Sequence, residues 1–488
     1  MSATNAVLLS MLIPLVGAVL IGLTGKRPNL REAVTIVTSV LLFLTVLQVL
    51  SAFQAGETIE VELVTLFSGL SIAFHVEPLS MVFAMVASGL WVITSVYAIG
   101  YMRGNQEKYQ TRFYACFAIA LAAAMGIAFS ANLLTLFIFY EVLSLSTYPL
   151  VAHKGDQKAR SGARTYLTIL MGTSIVFMLP AIVWVYAAAG TLDFVPGGVL
   201  AGRMDTAAAT ILLLLFVFGV AKAAVMPFHR WLPAAMVAPT PVSALLHAVA
   251  GVKAGVFTVT KVALYTFGPE FLAEVPVRDF VIFMAGFTVV AASVVALMQT
   301  NLKRLLAYST VAQLSYVVIA ALVLVPFSKI GAALHIAAHA LGKITLFFTA
   351  GAIYTASKKA ELPQLHGIGK RMPWTMAAFT IGALSMIGVP PTAGFVSKWY
   401  IFGGSYELGN YYVVIVLMLS TVLNAAYFLP IIFNAWFGRE QGENPVQHGE
   451  APWNMVLALS LTAAMTVLFF FFNGPLIDLE YQLAGGGQ

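Results

Sequence analysis

AKAAVMPFHRWLPAAMVAPTP, residues 221–241, carries four prolines (Pro227, Pro233, Pro239 and Pro241) and a lysine, Lys222, in an apolar setting. Proline removes a backbone donor and interrupts the helix ladder. Such a break is tolerated at membrane depth only where it is buried in protein or lines a cavity. A second stretch repeats the theme. IGVPPTAGFVSKW, residues 387–399, breaks at Pro390, Pro391 and Gly394 and carries Lys398. Helix breaks at corresponding places in two halves point to inverted-repeat transporters, although proline kinks are also common in ordinary membrane helices.

The sequence around these breaks is that of a membrane protein. Of 488 residues, 60% are hydrophobic and 9% charged, and mean hydropathy is +0.90. A soluble domain carries about 25% charged residues. Spanning a bilayer core takes about 20 apolar residues, and runs of that kind occur about fourteen times. The expected fold is therefore an all-α polytopic bundle. The third span is expected at 72–102, and the breaks fall in the seventh (208–227) and twelfth (373–403). Two five-helix repeats follow, helices 4–8 (113–268) and 9–13 (269–437). Residues 1–112 form three preceding helices, and 438–488 an inner loop, a last helix and a short Gly-rich tail.

Charge placement gives the orientation. Counting loops alternately from an outer N-terminus, the inner loops hold 18 of the 26 basic residues, and the outer loops hold three, Arg203, Arg278 and Lys329. Lysine and arginine accumulate on the cytoplasmic side, so both termini are expected outside a bacterial or archaeal cytoplasmic membrane. Ser2–Leu23 has no basic flank and no small-residue cleavage pattern, which favours a retained helix over a signal peptide. The longest loops are expected at Glu57–Glu62, 190–207 and Arg439–Glu450. A single cysteine, Cys116, excludes an internal disulfide framework and a cysteine metal site. No stretch resembles a nucleic-acid patch, a Walker loop, a dinucleotide fingerprint or a haem-attachment motif.

Five lysines remain within apolar spans: Lys222, Lys253, Lys261, Lys343 and Lys398. Among the acids only Glu141 is mid-span. A charge at the bilayer centre costs about 2.5–3.5 kcal/mol on insertion scales, so structure alone is a poor reason to keep six. Glu141 has no charged neighbour for ten residues on either side, and Lys222 is its expected partner. Such a pair either gates protons or merely fixes helix register. Lys253 lies mid-helix, too far from the first end to snorkel, and a buried lysine without an anion can alternate between charged and neutral. Lys261 is nearer the outer end, where it either extends the path or snorkels.

His335, His339 and Lys343 recur every four residues and share one helix face over about 12 Å of rise. Three titratable groups in line resemble a relay. Zinc is a weaker reading, because no carboxylate or cysteine completes the set. His247, six residues before Lys253, is either a further member or a core histidine. Lys398 is either the last group of the path or an interface anchor. His229, Arg230 and Trp231 read as interface anchoring, and His75 and Glu77 as structural or subunit contacts.

KAAVMPFHRWLPAAMVAPTPVSALLHAVAGVKAGVF (222–257), NLKRLLAYSTVAQLSYV (301–317) and LSMIGVPPTAGFVSKWYI (384–401) resemble the antiporter-like membrane subunits. These occur in respiratory complex I, membrane-bound hydrogenases and Mrp-type multisubunit cation/proton antiporters. The resemblance runs over nearly the whole chain. It implies fourteen helices with two inverted repeats, Glu141 and Lys222 as the pair of helices 5 and 7, and Lys253 as the central lysine. It also implies a relay at His335, His339 and Lys343, with Lys398 in the second half-channel. A lysine at 398 departs from the complex I subunit type that carries glutamate there, and the length and the wording of GVPPTAGFVSKW look most like the Mrp D subunit.

The expected activity is secondary transport without a cofactor or resident metal, in a hetero-oligomeric membrane complex surrounded by lipid. In that scheme, parting of Glu141 and Lys222 expels a proton from Lys253 along His339 and Lys343 towards Lys398. Antiport runs the path inward and drives export of Na+ or another monovalent cation through a partner subunit. The alternatives are a proton-pumping subunit of a redox complex, a scaffold with silent charges and a membrane-embedded transferase.

Overall fold

The computed structural model describes residues 2–439 and 448–483. Residues 440–447 of the expected inner loop and 484–488 of the tail lie outside them.

Twelve described helices are long and apolar enough to cross a membrane, and two shorter apolar helices open the interrupted crossings. In chain order they are α1 (Ala3–Leu23), α2 (Pro28–Gln54), α3 (Pro78–Gly104), α4 (Gln110–Ala128), α5 (Leu133–Val151), α6 (Gln157–Ala189), the interrupted α7 (first arm Thr206–Gly219) and α8 (Thr240–Phe267). There follow α9 (Val277–Leu297), α10 (Leu302–Val323), α11 (Pro326–Ser357), the interrupted α12 (first arm Pro373–Ile387), α13 (Tyr411–Phe437) and α14 (Trp453–Phe471). A short α15 (Gly474–Leu483) closes the described chain.

One connection is not a loop. Residues expected as the acidic outer stretch and the start of the third span form an antiparallel hairpin, β1 (Glu60–Phe67) and β2 (Leu70–His75), with Glu60 opposite His75. The β-branched Val61, Val64, Thr65 and Ile72 and the aromatic Phe67 and Phe74 suit a ribbon. The third helix accordingly begins at Pro78 rather than 72. The hairpin marks one face of the bundle, and the turns rich in lysine and arginine mark the other.

Both broken crossings are broken where expected. After α7's first arm the chain makes a tight turn at Ala221–Ala223, turns left-handed at Ala224 (φ 57°) and re-forms a short helix at Trp231–Ala234. After α12's first arm, Gly388 adopts φ 92° and the second arm runs Ala393–Glu407.

The two repeats share an unforeseen clamp. Asn132 caps α5 by accepting from Thr135 N, and Asn301 caps α10 by accepting from Arg304 N. Each cap is stitched to the chain leaving the next helix. Leu133 N donates to Leu192 O and Phe194 N to Ala131 O; Leu302 N donates to Ala360 O and Leu362 N to Thr300 O. One clamp lies on the hairpin face and the other on the basic face, as an inverted relation requires.

The helices sort by enclosure. α8 is buried throughout and α11 along its central turns, whereas α1, α2, α6, α13 and α14 turn much of their apolar surface outward. In lipid, helices associate through close packing rather than a hydrophobic drive, so small residues mark the tightest contacts. At Gly255 of α8 an added Cβ would lie 2.2 Å from Ala223 N, so only glycine lets the α7 break rest on α8. At Gly394 it would lie 1.8 Å from Ser385 O, which holds the arms of α12 together.

Candidate functional site

Lys222 sits in the turn that follows the first arm of α7, with its ammonium fully buried. Its Nζ donates to Tyr140 O at 2.8 Å and to Ser144 Oγ at 2.5 Å, and lies 3.2 Å from the Tyr140 ring centre. The expected contact with Glu141 is not made. Neither carboxylate oxygen of Glu141 has a hydrogen-bond partner among the described residues, although the acid remains within electrostatic reach of Lys222. Helix geometry accounts for this. Tyr140 and Ser144 lie one turn apart on α5, whereas Glu141 is turned about 100° from Tyr140 and about 60° from Ser144, beside the lysine's contact face rather than on it.

Lys253 and His339 form the centre. They come from the two enclosed helices, α8 of the first repeat and α11 of the second, and Lys253 Nζ lies 2.7 Å from His339 Nδ1. Both are fully buried. One turn along α11 the His335 ring stacks on His339 at 5.9 Å, and His335 Nδ1 lies 2.9 Å from Ser397 Oγ. Tyr316 of α10 packs edge-on to His335 at 5.4 Å. Lys398, next in sequence to Ser397, stands 5.2 Å from the centre of that same tyrosine ring.

This order differs from the expected one. Lys343 was placed between His339 and Lys398, but it lies one turn from His339 on the side away from His335. There its Nζ donates to Ser309 Oγ at 2.8 Å, and Tyr427 OH reaches Ser309 at 3.0 Å. His335 is therefore the group between His339 and Lys398. The two break lysines also occupy different places. Lys222 follows the first arm of its break, whereas Lys398 lies within the second arm, half-buried, donating to Met386 O at 2.6 Å and Ile387 O at 3.0 Å.

His247 lies on a wider, π-type turn of α8 with both ring nitrogens buried and without hydrogen bonds, against Phe347 at 4.7 Å. It is within electrostatic reach of Lys343 and Lys303. Lys303, Thr240 and Arg230 line a cavity of about 800 Å³ on the basic face. Glu107, in the turn after α3, lies near that cavity; burial raises its pKa, and Lys154, Lys303 and Lys358 oppose the rise.

Lys261 does not snorkel. It is fully enclosed and ion-paired with Glu77 at 2.5 Å, so Glu77 has an internal partner. Trp231 is likewise no interface anchor; it is fully buried and donates from Nε1 to Ala221 O at 2.8 Å. Tyr140, Ser144, Ser309, Tyr316, Ser397 and Tyr427 were not foreseen. They are uncharged, and only their alignment on a helix face with a buried lysine or histidine of another helix distinguishes them.

The transmembrane family described as NADH:quinone oxidoreductase/Mrp antiporter matches residues 130–424. The N-terminal family of complex I chain 5 matches residues 66–114. NADH-quinone oxidoreductase subunit N of Desulforudis audaxviator is 35% identical over 83% of this chain and 84% of its own length. The A component of the Na(+)/H(+) antiporter of Alkalihalophilus pseudofirmus is 29% identical over 90% of this chain and 57% of its own. Among solved structures, a chain of the Mrp complex from Dietzia sp. superposes with a TM-score of 0.89 at 18% identity, covering 99% of this chain and 97% of that one.

Proposed function

The chain belongs to the NADH:quinone oxidoreductase/Mrp antiporter family of membrane subunits, and on that footing we propose that it is the proton-translocating D-type subunit of an Mrp-type Na+/H+ antiporter. The observation that carries the proton path is the 2.7 Å contact of Lys253 with His339 between the repeats, in the most enclosed part of the bundle. Support for antiport comes from the sodium/proton antiporter relative, the fold shared with an Mrp complex and the lysine at 398.

The path runs through named groups. From the cavity on the basic face, which we place inside, a proton passes His247 and Lys343 to Lys253 and His339. From there His335, Ser397 and Lys398 carry it towards the hairpin face, which we place outside. Lys253 and His339 share one proton-carrying contact, so one releases as the other takes up. Glu141 lacks a hydrogen bond while Lys222 rests on Tyr140 and Ser144, which is the parted arrangement of the pair. Rotation of Lys222 towards Glu141 moves positive charge away from α8 and lets Lys253 hold its proton. In antiport the path runs inward, and a partner subunit exports the cation.

Everted vesicles carrying the complete complex and energised by respiration test this reading. Added sodium collapses the pH gradient in wild type but not in Lys253→Ala at equal assembly. Collapse in both removes Lys253 from the path. The second reading, a proton-pumping subunit of a redox complex, is favoured by the 35% identity to a quinone oxidoreductase subunit. A wild-type complex that ignores sodium and other monovalent cations decides for it.

A further inference from the structure

The proposed path leaves the buried pair of Glu77 and Lys261 unused. Glu77 stands at the N-terminus of α3, but its side chain makes no capping hydrogen bond. It turns instead to Lys261 of α8, whose Nζ also donates to Ser130 O at 3.2 Å and faces the Phe194 ring at 4.2 Å. Both residues are buried, yet Glu77 lines a cavity of about 870 Å³ on the hairpin face. Glu57, His75, Tyr265, Glu270 and Lys329 line the same cavity, and His75 Nδ1 lies 3.2 Å from a Glu60 carboxylate oxygen. Lys261 is absent from the cavity wall, so Glu77 is interposed between the lysine and that space. On the inner side, Lys261 lies eight residues beyond Lys253 on the same helix, about 12 Å along its axis. The buried Ser80 hydroxyl, one turn on from Glu77, has no hydrogen-bond partner among the described residues, which suits a bridging water.

Desolvating an ion pair costs several kcal/mol per ion, and an apolar pair often packs as well or better. A pair kept between an enclosed titratable lysine and an acid-lined cavity has a use beyond packing. We propose that Glu77 and Lys261 form a second outer proton exit, one belonging to the first repeat. The Lys261 ammonium passes its proton to the Glu77 carboxylate, leaving a neutral amine and a carboxylic acid. The acid then releases that proton into the cavity, and the amine is recharged from the Lys253 side through water. Inward flow reverses each step. Protons thus reach the outside without crossing to Lys398. The inference rests on Lys253 being in the path.

The test is antiport in everted vesicles at matched assembly, with each variant placed on a Lys398→Ala background that closes the other exit, and with Lys253→Ala in the otherwise wild-type chain as the reference. Lys261→Arg keeps the charge and the ion pair, but a guanidinium does not release its proton. The expected result is a loss of at least about tenfold with Lys261→Arg, while Glu77→Asp, which still titrates, retains most activity. Rates with Lys261→Arg equal to those of the Lys398→Ala background overturn the exit, as does a Lys398→Ala background that no longer transports. Should the arginine fail to assemble, the neutral double variant Glu77→Gln/Lys261→Met takes its place. Loss of the remaining transport then supports the exit, and transport equal to that of the Lys398→Ala background overturns it. Lys253→Ala separates the two ideas. If it alone is inactive, the central path stands and this exit falls; if it transports normally, the parent reading has failed.

Discussion

Lys222 has two hydrogen-bond acceptors on α5, and the nearer is a side chain that can be removed cleanly. A hydrogen bond to a charged group is worth about 1.5–3 kcal/mol. Ser144→Ala is therefore expected to slow antiport on the order of tenfold, at about 1.4 kcal/mol per decade, with assembly unchanged; initial rates in vesicles check it. His153, in the turn after α5, gives a pH signature of a different kind. Burial, with the Arg112 guanidinium beside it, pushes its imidazole down to about 4, and Glu107 at 3.9 Å is beyond hydrogen-bond reach. The unfolded value is about 6.5, so the folded chain binds fewer protons and acid favours unfolding. The His153 contribution is whole above about 6.5 and is lost as pH falls towards 4, at up to about 1.4 kcal/mol per unit. Thermal unfolding in detergent is expected to show a shallower acid limb in His153→Gln than in wild type. Every buried lysine at this scale was visible in the sequence, because a charge in an apolar run stands out. Their partners were not. A serine or tyrosine is ordinary in a membrane helix, and whether it faces a lysine depends on the rotation of two helices packed far apart in sequence. The same blindness put Glu141 in direct contact with Lys222.

The breaks are the elements on which the site depends, and glycine sets how closely they pack. Gly394→Ala forces a Cβ onto Ser385 O, a rigid backbone atom, and overpacking of this kind costs about 1–3 kcal/mol. The variant is expected to lose thermal stability by about that amount and to lose transport more steeply, since Ser397 and Lys398 ride on the displaced arm. Unfolding temperature and vesicle transport, measured on one preparation, check the two together. Proline and glycine spacing announced both breaks in the sequence. The β-hairpin was hidden, because Leu70–His75 is as apolar as the helix it precedes. The swap of His335 for Lys343 on the route to Lys398 was hidden too. A four-residue repeat fixes which face three groups share, but not which end of the row a neighbouring helix approaches.

Across the whole molecule, the enclosed α8 and α11 lie within a jacket whose outward surface is apolar, and the two bundle faces differ in charge. The proposed orientation is open to a direct check. In a background without Cys116, a cysteine at Ser68 in the hairpin turn is expected to react with an impermeant maleimide on intact cells. One at Lys158 is expected to react only after the membrane is opened, and the reverse pattern inverts every direction assigned to the path. Fourteen crossings were legible because each needs a long apolar run and each basic turn punctuates them. The relation between the repeats was legible only through their breaks.

The paired asparagine clamps bear on how the chain is made. A ribosome delivers the bundle from its N-terminus, and units fold as they emerge. The strand that closes the first clamp, Leu192 to Phe194, is synthesised before Lys222 exists. The residues that fasten the helix bearing Glu141, Tyr140 and Ser144 are thus all made before the first of the five lysines set in apolar spans. The second clamp closes at Ala360 and Leu362, after Lys343 but before Lys398. Each awkward charge at a broken crossing is made after the residues that latch its half of the scaffold.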